Sequence, residues 1–195
     1  MKNDLTIVTL SINPFNRELP NGLRYINYTS KFDNDIGLKK ATQRSLESVE
    51  TKYVFFCDHD DPVPESFPKL TKPIIFGDFH YRENGSHKII KPNKLELGKE
   101  FSFIDIPHKP VVETEAYKQM IEHLPDIELC FHMSVYYLLC LKYKTQYDKD
   151  FIAIWDKRHE GLHRNSFRHR NMTKQWLHDN ARTIITMKDT VMKGK

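Results

Sequence analysis

Four polar residues in a row, Asp58, His59, Asp60 and Asp61, close a short apolar and aromatic run, Tyr53-Val54-Phe55-Phe56-Cys57. Three carboxylates this close repel one another unless a positive charge compensates them. A divalent cation carrying a phosphorylated ligand does this, and hard oxygen donors suit Mg2+ or Mn2+. An unbroken apolar run of this length reads as a strand buried on both faces. The acids then sit at the carboxyl edge of a sheet, where open α/β folds bind ligands. A plainer reading is an acidic turn, with Asp61 as the N-cap of a helix beginning near Glu65. Taken alone, the stretch leaves both readings open.

The elements that must position these acids can be read outwards from them. Leu5 to Ser11 and Leu23 to Tyr28 read as strands, joined through the turn Asn13-Pro14-Phe15-Asn16-Arg17. Leu38 to Val49 is helix-like, with Leu38, Ala41, Ser45 and Val49 on one stripe. A β-β-α-β order predicts an α/β fold, a mainly parallel central sheet flanked by helices. Beyond the acids, residues 65–70 read as one or two helical turns, and 73–81 with 87–90 as a hairpin around Glu83-Asn84-Gly85. Residues 101–106 read as a strand, 114–123 and 126–143 as helices, and 151–155 as a last strand. Asn171 or Thr173 caps a terminal helix running towards Met187.

Bulk properties narrow the class. The 195 residues suit one compact domain, which we divide into residues 1–61, 62–150 and a closing 151–195. No apolar run approaches the roughly 20 residues of a membrane span, and the start of the chain has no secretory pattern. Three cysteines without metal-type pairing suit free thiols, hence a reducing cytoplasm, bacterial or phage-infected. The net charge of +4 hides an asymmetry: residues 157–195 hold ten Lys or Arg against three acids, and residues 1–156 are net acidic. An acidic body with a basic tail suits a phosphorylated or polyanionic partner.

Three separated stretches carry a resemblance. Gly37-Leu38-Lys39-Lys40-Ala41 with Gln43, leading without a gap to Asp58-His59-Asp60-Asp61, resembles the Gly-led helix and Asp-x-Asp-Asp strand end of the family 2 nucleotide-sugar glycosyltransferases of GT-A fold. Asn13 to Arg17 is similar to that family's Pro-Thr-Tyr-Asn-Arg turn. Ile152 to Gly161, with Arg158-His159-Glu160-Gly161, resembles its late strand and Arg-x-His-x-Gly loop. The resemblance implies a metal-dependent enzyme that moves a sugar from a nucleoside diphosphate sugar, a UDP-sugar above others, to an acceptor hydroxyl with inversion. By similarity Asp58 lies near the donor ribose, Asp60 binds Mn2+ or Mg2+, and His159 contacts the metal or a phosphate oxygen. Ser11, Asn13, Asn16, Lys40 and Arg158 are the other donor-binding residues that it implies, and Asp61 supports the loop. His59 fills the variable slot of the motif. The family's Glu-Asp pair, which supplies the general base, is missing in its usual form; Asp126 and Glu128 are the nearest carboxylates. The family's helix between its first two strands has no counterpart here, and no acid after the second strand stands out to read the base.

Other constellations compete. His159-x-x-x-His163 has metal-compatible spacing, but Gly161 sits between the two and no helix pattern covers them, so a His-rich loop is the better reading than zinc. Arg164, Arg168, His169, Arg170, Lys174, Trp176 and His178 mix charge with aromatics in a way that suits a phosphate backbone. This leaves the acceptor as either a hydroxymethylated base in DNA, as in phage, or a glycan. The rival from another class is a non-catalytic nucleic-acid-binding module on a degenerate GT-A body. A Walker-type loop and a Gly-x-Ser-x-Gly elbow are both missing, which excludes the commonest phosphoryl-transfer and hydrolase signatures.

Overall fold

The β-branched run Leu5–Ser11 forms the strand β1 at the heart of a mixed sheet, with Ile7 and Val8 fully buried. In the computed structural model, residues 4–11, 19, 23–29, 37–83, 86–125, 131–157 and 167–187 are described. Arg24–Thr29 (β2) and Tyr53–Phe56 (β3) pair in parallel with β1 on its two sides. Gly37–Glu47 (α1) makes the crossover between them. Gly37 opens that helix with a left-handed φ of 71°, which favours glycine.

Beyond β3 the order is Ile74–Glu83 (β4), Ser86–Ile90 (β5), Val111–Glu113 (β6), Thr114–Glu122 (α2), Phe131–Lys142 (α3), Thr145–Lys157 (β7) and Phe167–Thr186 (α4). The short β6 slots between β3 and β4, antiparallel to both. Two reversals restore direction, so β4 points the same way as β3, and β7 lies parallel to β4. Five of the seven strands therefore share one direction, and only β5 and β6 oppose it. This is the mainly parallel α/β sheet expected from the sequence.

All four of the described α-helices pack on one face. Leu46, Tyr117, Met120, Val135, Leu138, Leu177 and Ile184 join Val8, Val54 and Val112 in one core. The opposite face buries Leu5, Ile7, Phe55, Phe79 and Phe151 beneath Val63, Phe67 and Leu70. Phe67 and Leu70 lie in the segment read as helical turns, residues 65–70, and it forms no helix. Pro64 and Pro68 are the physical reason: proline removes a donor and restricts the residue before it. Phe67 instead sets its edge against Phe55, with ring centroids 5.3 Å apart.

Two further expectations are corrected. Residues 101–106 form no strand but carry a single 3-10 turn, Phe103–Asp105. The Asp105 carboxylate accepts from the Ser102 backbone N–H at 2.6 Å and from Asn93 Nδ2, and this local capping outcompetes strand pairing. The last strand is much longer than residues 151–155, because a bulge interrupts it. Phe76 pairs with Tyr147 but Asp78 with Ile152, so residues 148–151 stand opposite the single residue Gly77. The terminal helix starts at Phe167, ahead of Asn171 and Thr173, and Thr173 is buried within it.

The bulge depends on Gly77. A Cβ built there would lie 1.8 Å from the Phe151 carbonyl oxygen and 2.6 Å from that of Asp148. Both partners are backbone, so neither can swing away. Gly77→Ala is expected to cost at least about 1–3 kcal/mol, the usual range for overpacking. A chemical-denaturation midpoint equal to wild type would show that the bulge relaxes freely.

Candidate active site

Parallel strands end together, and here they end at the acids. The turn after β3 closes through the Asp61 N–H donating to the Asp58 carbonyl at 3.2 Å. The Cys57 thiol donates inwards to the Asp61 carbonyl at 3.7 Å, and the Cys57 N–H donates to Val8 of β1 at 3.0 Å. The Thr9 hydroxyl caps the Cys57 carbonyl at 2.9 Å. These bonds pin the backbone, so the three carboxylates leave it in fixed and different directions.

Their environments differ sharply. The Asp61 side chain has no exposure, whereas that of Asp58 is 61% exposed and that of Asp60 31%. A fully buried carboxylate needs a partner charge, and Lys109 supplies it. Because β6 runs antiparallel to β3, its lead-in His108-Lys109-Pro110 arrives at the edge where β3 ends. The Lys109 ammonium donates to Asp61 Oδ2 and lies 3.1 Å from Asp58 Oδ2. Burial opposes charging this amine, but the two carboxylates overcome that and hold its pKa above the usual lysine value. Lys109 in turn lowers the Asp58 carboxyl to about 2. With Asp58 so exposed, solvent screens this contact, and its effect is to orient the carboxylate more than to stabilise the fold.

The Lys109 backbone is itself unusual. Its φ of 47° is the only positive value at a non-glycine among the described residues, and proline follows it, which disfavours this conformation further. Sparsely populated backbone of this kind persists only where its surroundings enforce it. The neighbouring His108 ring stacks on Phe79 with centroids 4.3 Å apart. Burial, with the nearby Lys109 charge, lowers its pKa to about 4, and its Nε2 is buried with no hydrogen-bond partner.

At the ends of β1 and β2, Asn27 Nδ2 donates to Ser11 Oγ at 2.9 Å, and the Thr29 hydroxyl donates to Asn27 Oδ1 at 3.0 Å. This part-buried polar strip lies on the same sheet edge as the acid turn. On the helix side, Tyr117 of α2 and His132 of α3 approach beneath the turn, with the Tyr117 hydroxyl 2.5 Å from His132 Nδ1. The Phe56 ring packs 4.9 Å from His132 and 5.1 Å from Tyr117.

The sequence-derived residues are thus partly assembled. Ser11, Asp58 and Asp60 share the carboxyl edge of the sheet. Lys40 lies exposed on α1, whereas its neighbour Lys39 turns inwards and donates to the Leu124 carbonyl. His59 is exposed, 4.0 Å from Asp60 Oδ1. Asn13, Asn16, Asp126, Glu128, Arg158 and His159 lie outside the described residues. Lys109, His108 and His132 were not identified from sequence. Lys109 escapes notice because it lies 48 residues from its partner Asp61 and precedes a strand of only three residues.

The donor set can be compared with the cation the sequence asked for. Among the described residues, no group of three His, Cys, Asp or Glu side chains could hold a metal ion. Magnesium at nucleotide sites takes one or two carboxylates and fills its shell with phosphate oxygens and water. Asp60, with Asp58 beside it, fits an ion that arrives with a phosphorylated ligand. The turn and Lys109 together carry two net negative charges, which one divalent cation cancels.

No family profile matches the chain, and no curated protein does. Among solved structures it is similar to one described as the crystal structure of S. aureus TarS 1-349, at a TM-score of 0.46 and 11% identity. That likeness covers 77% of this chain and 60% of the other. Superposition at this level fixes neither family nor activity. No described helix is long and apolar enough to cross a membrane.

The ion pair makes a separable prediction. Lys109→Met strands Asp61 as a lone buried charge and is expected to cost about 3–5 kcal/mol. Replacing both partners, as Asp61→Leu with Lys109→Met, should recover most of that loss in urea denaturation. In the wild type, the Asp58 share is complete above the ordinary carboxylate pKa of about 4 and fades as pH falls through about 2. Equal urea midpoints for Lys109→Met and wild type would rule out a paired Asp61.

Proposed function

We propose that the chain is a glycosyltransferase of GT-A type, moving a sugar from a nucleoside diphosphate sugar to an acceptor hydroxyl with inversion. The observation that carries this is the placing of Asp58 and Asp60 at the carboxyl edge of the parallel strands, in a turn whose third acid is already neutralised by Lys109. Nucleotide ligands of open α/β sheets bind at this edge. The Ser11–Asn27–Thr29 strip offers hydrogen bonds for a base or ribose, and Asp58, held by Lys109, offers its carboxylate to ribose hydroxyls.

Asp60 would hold a Mn2+ or Mg2+ ion, which when bound neutralises charge on the departing diphosphate. The protein's own part is to orient the donor and to place a proton acceptor near the attacking hydroxyl. General-base help of this kind is worth about 10²–10⁴-fold. The acceptor we favour is either a hydroxymethylated base in DNA or a glycan. Arg170, His178 and Arg182 on the exposed side of α4 favour a polyanion.

Donor hydrolysis and transfer with Mn2+ across UDP- and GDP-sugars tests this reading. Wild type should turn over at least one donor, and Asp60→Ala should lose at least about 10²-fold, as expected for removal of a charge-stabilising group. A chain that binds no nucleotide sugar but binds DNA tightly and salt-sensitively is a non-catalytic module instead. With a DNA acceptor, reversing Arg170 and Arg182 should weaken DNA binding and flatten its salt dependence, with donor hydrolysis unchanged.

A further inference from the structure

Glycosyl transfer with inversion needs a proton acceptor, and the described residues place one nitrogen base beneath the acid turn from the helix side. His132 lies in the first turn of α3, half-buried, with its ring against Phe56. Phe56 is two residues before Asp58, so the two belong to the same face of the extended chain. His132 feels the charges of both Asp58 and Lys109.

Its second shell is built. The Tyr117 hydroxyl meets His132 Nδ1 at 2.5 Å, and the Tyr136 ring stands edge-on to Tyr117 with centroids 6.0 Å apart. Where Tyr117 Oη accepts from His132, the imidazole proton sits on Nδ1. Nε2 is then left with a bare lone pair. Burial lowers this imidazole to about 4, so it is neutral near pH 7 and in the form that takes a proton. An imidazole at that value has the basicity of an ordinary carboxylate. A base fixed in one tautomer by a buried third group is the arrangement by which enzymes orient imidazole bases.

We propose that His132 is the general base of the transfer, with Tyr117 Oη accepting its Nδ1–H so that Nε2 carries the lone pair. In the step, the acceptor hydroxyl oxygen forms a bond to the anomeric carbon while its proton passes to His132 Nε2. The bond from that carbon to the diphosphate oxygen breaks, and its electron pair leaves with the nucleoside diphosphate. This inference rests on the glycosyltransfer reading and adds to it the residue that completes it.

His132→Asn separates a catalytic from a structural role, because the Asn amide can still donate to Tyr117 but has no group at the Nε2 position. With the best nucleotide sugar of the panel and Mn2+, turnover by His132→Asn should fall about 10²–10⁴-fold. UDP affinity measured by calorimetry with Mn2+ should change by less than about threefold, since uniform binding is untouched. In His132→Ala, added imidazole should restore part of the rate. Tyr117→Phe should lower kcat with KM unchanged, and it carries the test should His132→Asn fail to fold. A folded His132→Asn protein with wild-type turnover overturns the base assignment alone. Rate and UDP affinity lost together make His132 structural and overturn it too. A wild-type protein that turns over no donor overturns the glycosyltransfer reading, and this step with it.

Discussion

The buried Asp61 carboxylate is the constraint on which the site depends. Taking an ion of this size out of water costs several kcal/mol even after relaxation. That cost is met only if a cation follows it into the interior, and Lys109 does so from 48 residues further along the chain. The pairing dictates topology as well as charge. For Lys109 to reach the end of β3, the chain must enter the sheet beside β3 at its carboxyl edge, and therefore run antiparallel. The short β6 is the result, and its register of Tyr53 with Glu113 and Val54 with Val112 is the one that brings the lysine level with the turn. One ion pair thus couples the parallel, ligand-facing half of the sheet to the β4–β7 half.

This pairing changes what the three acids mean. Their crowding in sequence argues for an external cation, and the premise is sound, because like charges so close do need compensation. The chain itself provides part of it. Asp61 is neutralised internally and Asp58 is steadied by the same ammonium, whereas Asp60 has only the exposed His59 ring beside it at 4.0 Å among the described ion-pair contacts. One acidic motif therefore divides into a buried anchor, Asp61, an exposed carboxylate steadied by Lys109, Asp58, and a half-buried one, Asp60.

What was legible in the sequence was what local patterning controls. β1, β2, α1, β3, the β4–β5 hairpin and α2 follow from runs of β-branched residues, a helical stripe and one turn signal. The position of Asp58 and Asp60 at a sheet edge follows from β3 ending in polar residues. What was not legible depends on distant partners. A three-residue strand such as Val111–Glu113 has too little pattern to stand out, and its existence depends on β3 and β4 closing around it. The bulge in β7 is set by Gly77 on another strand. At residues 101–106, an apolar run looked like a strand, but Ser102 and Asp105 bond each other locally and the aromatic side chains pack from a turn, with Phe101 stacked 4.2 Å from Tyr137.

The polar network under the site runs against the demands of stability. α3 is apolar on nearly every side and lies packed against α2 and α4, with Val135, Leu138 and Leu139 fully buried. A helix in that position gains most from side chains without polar atoms, and each buried hydroxyl or ring nitrogen must find a partner or cost the core. Yet Tyr117, Tyr136 and His132 place three such groups together at the end of α3 that meets the acid turn, and the Tyr117 hydroxyl is bonded to His132 Nδ1. A buried hydrogen bond of this kind holds its two side chains in one orientation, and its low-dielectric setting makes that orientation hard to disturb. Phenylalanine would fill the same space with no polar group to satisfy. A general base at His132, as proposed, would give this part of the core a reason to keep an imidazole beside the Tyr117 hydroxyl.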